Sequence, residues 1–239
     1  MQRWSIAVIG LLMAGAVAAD VVPEGPSAYI GVTTNNLFRG VSQTTDQEFY
    51  DRGGLSGMTG NKHSTTTTTD DDMFAPALYG GFDYLHSNGL YAGVYATSID
   101  IPEFDAFARV DGFAGYLHRF DSGWRIDGGA VVYVYPGESG SSFWEVYAGA
   151  GFGPVSGKVW HDPVNDNTYI QGRLNFDMGS DLQLNLTAGH YSLDTGPDYE
   201  DYGAWLSKDF GGLTVGGGVS DTSIDSAIIY MYLSYRFLL

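Results

Sequence analysis

A period of two runs through the end of this chain. In "IIYMYLSYRFLL", Ile229, Met231, Leu233, Tyr235, Phe237 and Leu239 are large and apolar or aromatic, whereas Tyr230, Tyr232, Ser234 and Arg236 can all hydrogen bond. Successive side chains of a strand point to opposite faces, so the segment reads as a strand with one apolar face and one polar face. The sorting recurs upstream. Leu182, Leu184 and Leu186 alternate with Gln183, Asn185 and Thr187. Arg109 and Asp111 share a face, as do Arg125 and Asp127, and likewise Gln171, Arg173 and Asn175. Opposite them stand Ala108, Val110, Ile126, Val132, Ile170, Leu174 and Phe176. A small dry core does not hold paired charges cheaply. A helical period is missing past residue 19, so the chain is expected to be all-β.

Segments of this kind are expected near 28–39, 74–86, 90–100, 106–120, 124–135, 142–152, 155–161, 167–176, 182–193, 201–210, 213–221 and 226–238. Their connections alternate in type. Tight ones ("SNG" at 87–89, "DSG" at 121–123, "GP" at 153–154, "MGSD" at 178–181, "GG" at 211–212) carry the Gly and Asn that short hairpins require. Longer polar ones lie at 40–73, 101–105, 136–141, 162–166, 194–201 and 221–225. Short turns at one end and longer loops at the other are the anatomy of a transmembrane antiparallel up-and-down β-barrel. About twelve strands, an even number, would bring both ends of the barrel chain to the same side.

Alternation alone does not say which face is inside, since a soluble barrel turns its apolar set inward. Charge and composition decide it. The 28 Asp and Glu outnumber the 11 Lys and Arg, for a net charge of −17. As drawn, most of the acids fall in the longer loops, so the charge gathers at one rim. Charged residues make up 16% of the chain, well below a soluble domain's usual quarter, while aromatics reach 15%. The N-terminus reads as a secretory leader, with Arg3 before the apolar "IAVIGLLMAGAV" and small residues at Ala16–Ala18. Cleavage is expected after Ala18 or Ala19, leaving 20–239 as one barrel domain; the apolar run is short for a retained membrane helix. Cysteine is absent, so disulfides and thiolate sites are excluded. The acidity excludes nucleic acid as a partner. The apolar set is therefore expected to face lipid. Many of the 34 glycines fall inside strands, where they would ease curvature and make room for neighbours such as Tyr147 or Tyr133.

Several stretches resemble a known family. "NLFRGVSQT" (36–44), "PALYGGFDYLHSNGLYAGVYATSIDI" (76–101), "FWEVYAGAGFG" (143–153) and "GPDYEDYGAWLSKDFGGLTVG" (196–216) are similar in content and order to the TorF family of outer-membrane porins, itself catalogued among proteobacterial proteins of unknown function. The resemblance implies an outer-membrane barrel with a role in diffusion and supplies no catalytic residues. The chain departs from it where Thr45–Phe74 intervenes between two blocks.

The residues expected to line the lumen are Arg109, Asp111, Arg125, Asp127, Glu145, Arg173 and Arg236. Opposed charges there would order water and select small polar solutes. The alternative is a lumen closed by Arg–carboxylate pairs and tyrosines, which makes a structural or surface-interaction barrel. Barrels of eight strands are filled by side chains and those of sixteen leave a channel, so twelve leaves both readings open. A third reading is a lipase-like hydrolase, from His190 and Ser192 sharing a face near a loop, although no orienting group or oxyanion donor can be nominated. No catalytic residue, cofactor or metal ligand set is assigned. The five histidines lack a metal-binding spacing. Asp70, Asp71 and Asp72 read as Ca²⁺ or Mg²⁺ ligands, as a solvated low-complexity loop, or as part of a loop (45–74) that folds inward and narrows the bore. The acidic rim would attract cations, or serve to bridge lipopolysaccharide through divalent ions. Trp124, Trp144, Trp160 and Trp205 are expected to form an interfacial girdle. Expected partners are outer-membrane lipid and lipopolysaccharide, with small hydrophilic solutes in the lumen.

Overall fold

The computed structural model describes residues 23–44, 75–101, 105–138 and 140–239. The leader, the Asp70–Asp72 run and the 45–74 loop lie outside the described residues. Among the described residues fourteen strands follow in order: β1 (Gly25–Thr33), β2 (Leu37–Phe38), β3 (Val41–Ser42), β4 (Ala77–Leu85), β5 (Leu90–Ser98), β6 (Ala108–Arg119) and β7 (Trp124–Val134). After them come β8 (Phe143–Phe152), β9 (Val155–Asp162), β10 (Asn167–Asp177), β11 (Leu182–Ser192), β12 (Tyr199–Asp209), β13 (Leu213–Thr222) and β14 (Asp225–Leu238). Twelve of them pair antiparallel with their neighbours into a closed barrel, while β2 and β3 form a separate two-stranded hairpin. Closure joins β1 to β14, with Ser27 opposite Leu238 and Thr33 opposite Tyr232. A closed sheet leaves no edge with unpaired backbone groups, which is what allows strands to cross hydrocarbon.

The alternation resolves as apolar outward. On β14, Ile229 is 65% exposed while Tyr230 is 1% exposed. Leu78, Val94, Ile170 and Leu206 stand on the same outer surface, all exposed. An apolar surface continuous around the whole barrel has no counterpart on soluble monomers. Hydrocarbon is the medium that covers it, and the molecule is a transmembrane β-barrel.

Two expected boundaries move, and the reason is instructive. The strand expected over 28–39 ends at Thr33, because the chain leaves the wall there and turns into the barrel as β2 and β3. Residues 40–44, expected in an external loop, are buried with them. The expected loops at 194–201 and 221–225 shrink to 193–198 and 223–224, because Tyr199 and Glu200 already pair with β11 and Asp201 pairs with Thr222 of β13. Short turns still gather at one end, called here the turn end, between β4 and β5, β6 and β7, β8 and β9, β10 and β11, and β12 and β13. The longer connections mark the loop end.

Glycines on the inner face make room for large rings. A Cβ on Gly129 would lie 2.6 Å from Tyr147 Oη and would also strike the Ala114 carbonyl. Gly189 is closed in the same way by Tyr169 and Asp201. The Tyr133 ring stacks on Phe143 at 4.5 Å.

Candidate functional site: an occluded lumen

Three charged layers follow one another along the inner wall. Nearest the turn end, Arg236 on β14 reaches Asp83 on β4 at 3.1 Å, and Ser27 hydrogen bonds to both. The Arg236 guanidinium lies over the Tyr29 ring at 4.7 Å. Arg125 sits at the same mouth and donates to the Gly153 carbonyl at 3.1 Å. Further in, Asp127 on β7 accepts from Tyr91 Oη at 2.5 Å and pairs with Lys158 from β9. Tyr147 completes that layer, its hydroxyl 2.6 Å from Tyr91 Oη and its ring 4.7 Å from Lys158 Nζ. Arg173 lies beside it, 5.7 Å from the Trp205 ring and within 3.4 Å of Gln171 Oε1.

The loop-end layer is built differently, because the β2–β3 hairpin fills it. Arg39 and Gly40 form its two-residue turn, with φ of 51° and 84°. Both lie in the left-handed region, as a type I′ hairpin requires. A Cβ on Gly40 would lie 2.7 Å from both Asp201 Cβ and Thr222 Cγ2, so the tip presses against β12 and β13. Behind the tip the hairpin is tied to the wall. Asp100 N donates to the Gln43 carbonyl at 2.8 Å and Thr34 N donates to the Met231 carbonyl at 2.9 Å, while Gln43 N donates to the Asn36 carbonyl at 2.7 Å within the hairpin itself.

Arg39 carries the hairpin's charge across the bore. Its Nη2 lies 2.6 Å from each oxygen of Glu145 on β8, which also accepts from Tyr133 Oη at 3.0 Å. The guanidinium carbon sits 4.5 Å from the Tyr169 ring centroid, 4.4 Å from Tyr191 and 4.8 Å from Phe38. Arg39 is 1% exposed and Glu145 0%. A second pair lies alongside. Arg109 Nε donates to Asp111 Oδ1 at 2.9 Å, and Arg109 Nη1 donates to Gln43 of the hairpin. Buried pairs of this kind specify an arrangement more than they stabilise it, since desolvation offsets much of the Coulomb gain.

All seven residues expected to line the lumen stand on the inward face, but they do not form one layer. Arg109, Asp111 and Glu145 join the hairpin; Asp127 and Arg173 lie deeper; Arg125 and Arg236 belong to the turn-end mouth. The tryptophan expectation divides. Trp124 and Trp144 point outward and are exposed. Trp160 and Trp205 are buried within the lumen at 2% and 3% exposure, so neither is part of a girdle. Their parity explains it: Trp160 shares a face with Lys158, and Trp205 with Asp201 and Ser207. Asp162 and Asp201, read as loop acids, are also buried on inward faces. Asp162 caps its turn by accepting from Val164 N at 2.8 Å, and Asp201 accepts from Tyr169 Oη at 2.8 Å.

His190 and Ser192 do sit together on the outer face near the loop end, but they are engaged elsewhere. His190 Nδ1 faces Glu200 at 3.4 Å, and Ser192 Oγ donates to Asp198 at 3.3 Å. The serine hydroxyl is thus not held by the imidazole, as nucleophilic activation would need. Among the described residues no cluster of His, Cys, Asp and Glu could hold a metal ion.

Solved structures share the architecture at low sequence identity. A KdgM porin aligns over 89% of this chain and 99% of its own, with a TM-score of 0.56 and 10% identity. A KdgM porin in complex with disordered oligogalacturonate aligns over the same shares, with 0.56 and 9%. A NanC porin aligns over 90% of this chain and all of its own, with 0.53 and 10%. At such identities the likeness is one of fold. No curated protein matches the chain in sequence. A sequence family model does match, over residues 66–236, and by that match the chain belongs to the Gcw_chp family, described as a bacterial protein of unknown function.

Proposed function

We propose that this protein is a narrow diffusion channel for small hydrophilic solutes in the outer membrane of a Gram-negative bacterium, with the β2–β3 hairpin as its constriction. The observation that carries the reading is the inward face itself. Ionised side chains line it from the Arg236–Asp83 pair at one mouth to the Arg109–Asp111 pair near the other. A barrel that only had to fill its interior would do so with apolar or neutral side chains at lower desolvation cost. Resemblance to TorF proteins, and the porin fold of the KdgM and NanC structures, support the same reading. The loop end bears Asp105, Glu138, Asp166, Asp194, Asp198 and Glu200. Such a rim concentrates cations, divalent ions among them, and repels polyanions. The preferred solutes are therefore neutral or cationic rather than acidic oligosaccharides like the one bound to KdgM.

Planar-bilayer recording tests this. Refolded protein should give discrete conductance steps, and Asp127→Ala should shift ion preference toward anions. A folded barrel that stays silent, with and without the hairpin, would overturn the reading. A second reading, a non-conducting structural or surface barrel, is favoured by one observation: the complete burial of Arg39 and Glu145. It predicts that silence.

A further inference from the structure

The hairpin 34–44 carries a single charged residue, Arg39, and the place it occupies is built mostly by other parts of the chain. Glu145 comes from β8, Tyr169 from β10 and Tyr191 from β11; of the groups around the guanidinium, Phe38 alone travels with the hairpin. The wall positions are set independently of Arg39. Tyr169 is held by donating to Asp201 Oδ2 at 2.8 Å and accepting from Gln171 Nε2 at 3.0 Å. Its ring meets that of Tyr191 edge-on, with centroids 5.8 Å apart and planes at 77°. Glu145 is held by Tyr133 Oη. A carboxylate and two tyrosine rings converging on one guanidinium is the chemistry that recognises a planar, weakly hydrated organic cation.

Arg39 is an imperfect occupant. Its Nε and Nη1 make no hydrogen bond among the described residues, and its backbone is left-handed, at φ 51°. For a residue other than glycine that conformation is disfavoured by the close approach of Cβ to the following carbonyl. A free guanidinium compound bears neither the strain nor the tether.

We propose that the loop-end lumen contains a cation subsite, formed by Glu145, Tyr169 and Tyr191, that takes guanidinium compounds, and that Arg39 occupies it as a tethered ligand which a permeating organic cation displaces. The proposal rests on the channel reading for its physiological meaning but not for its chemistry. Without an occupant, Glu145 would be a buried, unpaired carboxylate, so the vacated site must draw in a cation or water. Displacement of Arg39 by solute is then one event with withdrawal of the constriction, and the solute that opens the bore is one the bore can bind.

The test is calorimetric titration of methylguanidinium into the refolded mature barrel in detergent. Arg39→Gly, which vacates the site and relieves the strained turn, should bind saturably. Wild type should bind at least tenfold more weakly, and Arg39→Gly with Glu145→Gln should lose at least tenfold relative to Arg39→Gly alone. A folded Arg39→Gly barrel that binds no methylguanidinium, or binds it equally well without Glu145, would overturn the proposal. Should Arg39→Gly not fold, wild type serves. Methylguanidinium should expose the hairpin and speed thermolysin cleavage at Leu37, Phe38 or Val41 several-fold over sodium chloride of equal ionic strength; equal cleavage in both salts overturns it. The two readings fail separately. Binding to a barrel that never conducts removes the channel and keeps the subsite, whereas conductance without binding removes the subsite alone.

Discussion

The two halves of the lumen handle charge in contrasting ways. At the loop end the Arg39–Glu145 pair has side-chain exposures of 1% and 0%. Toward the turn end the Lys158–Asp127 pair keeps 14% and 11%, and Arg236–Asp83 keeps 10% and 5%. The wall is the same antiparallel sheet with the same alternation in both halves. What differs is the hairpin, which excludes water from one half only. The lesson is that how far water reaches into the lumen is set by an insertion into the barrel rather than by the barrel wall.

Removing one partner from each pair should expose that difference in stability. Glu145→Gln leaves Arg39 buried without a counter-charge and should cost roughly 3–5 kcal/mol, the usual penalty for breaking a buried pair. Asp127→Asn, on a pair that water reaches, should cost about 1 kcal/mol or less. Urea unfolding in lipid vesicles, followed by tryptophan fluorescence, measures both; equal losses would break the comparison. The outer face gives the next largest effect and is blind to which half is probed. Val94→Arg, at the middle of β5, places a charge on the lipid-facing surface and should cost about 2–4 kcal/mol at mid-bilayer depth, whereas a water-facing position would tolerate it. Gly129→Ala should follow, at about 1–3 kcal/mol for a forced overpacking, because the added Cβ meets the Ala114 carbonyl and Tyr147 Oη. The smallest effect belongs to the turn-end mouth. Arg125→Ala should move the reversal potential only modestly toward cations, as expected of a side chain at an aqueous mouth.

Much of this was legible in the sequence. Alternation in "IIYMYLSYRFLL" and "LQLNLTAG" assigned inside and outside residue by residue, since a strand's period of two leaves no freedom once one face is fixed. Hairpin glycines located the turn end. The hairpin plug was not foreseen, because "NLFRGVSQT" looks like a strand running into a loop. Its Arg-Gly turn is a weaker signal than Asn-Gly, and nothing local says whether a short hairpin folds out into water or back into the bore. Trp160 and Trp205 depart from the girdle expectation for a different reason: parity, not residue type, decides their face, and each shares it with a charged or polar neighbour. Tyr169, Tyr191 and Asp201 escaped notice as site residues because their role depends on Arg39, more than a hundred positions away in sequence.

The most direct measurement compares single-channel conductance of wild type with that of a barrel in which residues 36–43 are replaced by a short Gly-Ser linker. If the hairpin is the constriction, the linker variant must conduct several-fold more per channel than wild type while retaining the same heat-stable barrel. Equal conductance in the two, from folded protein, would contradict the account.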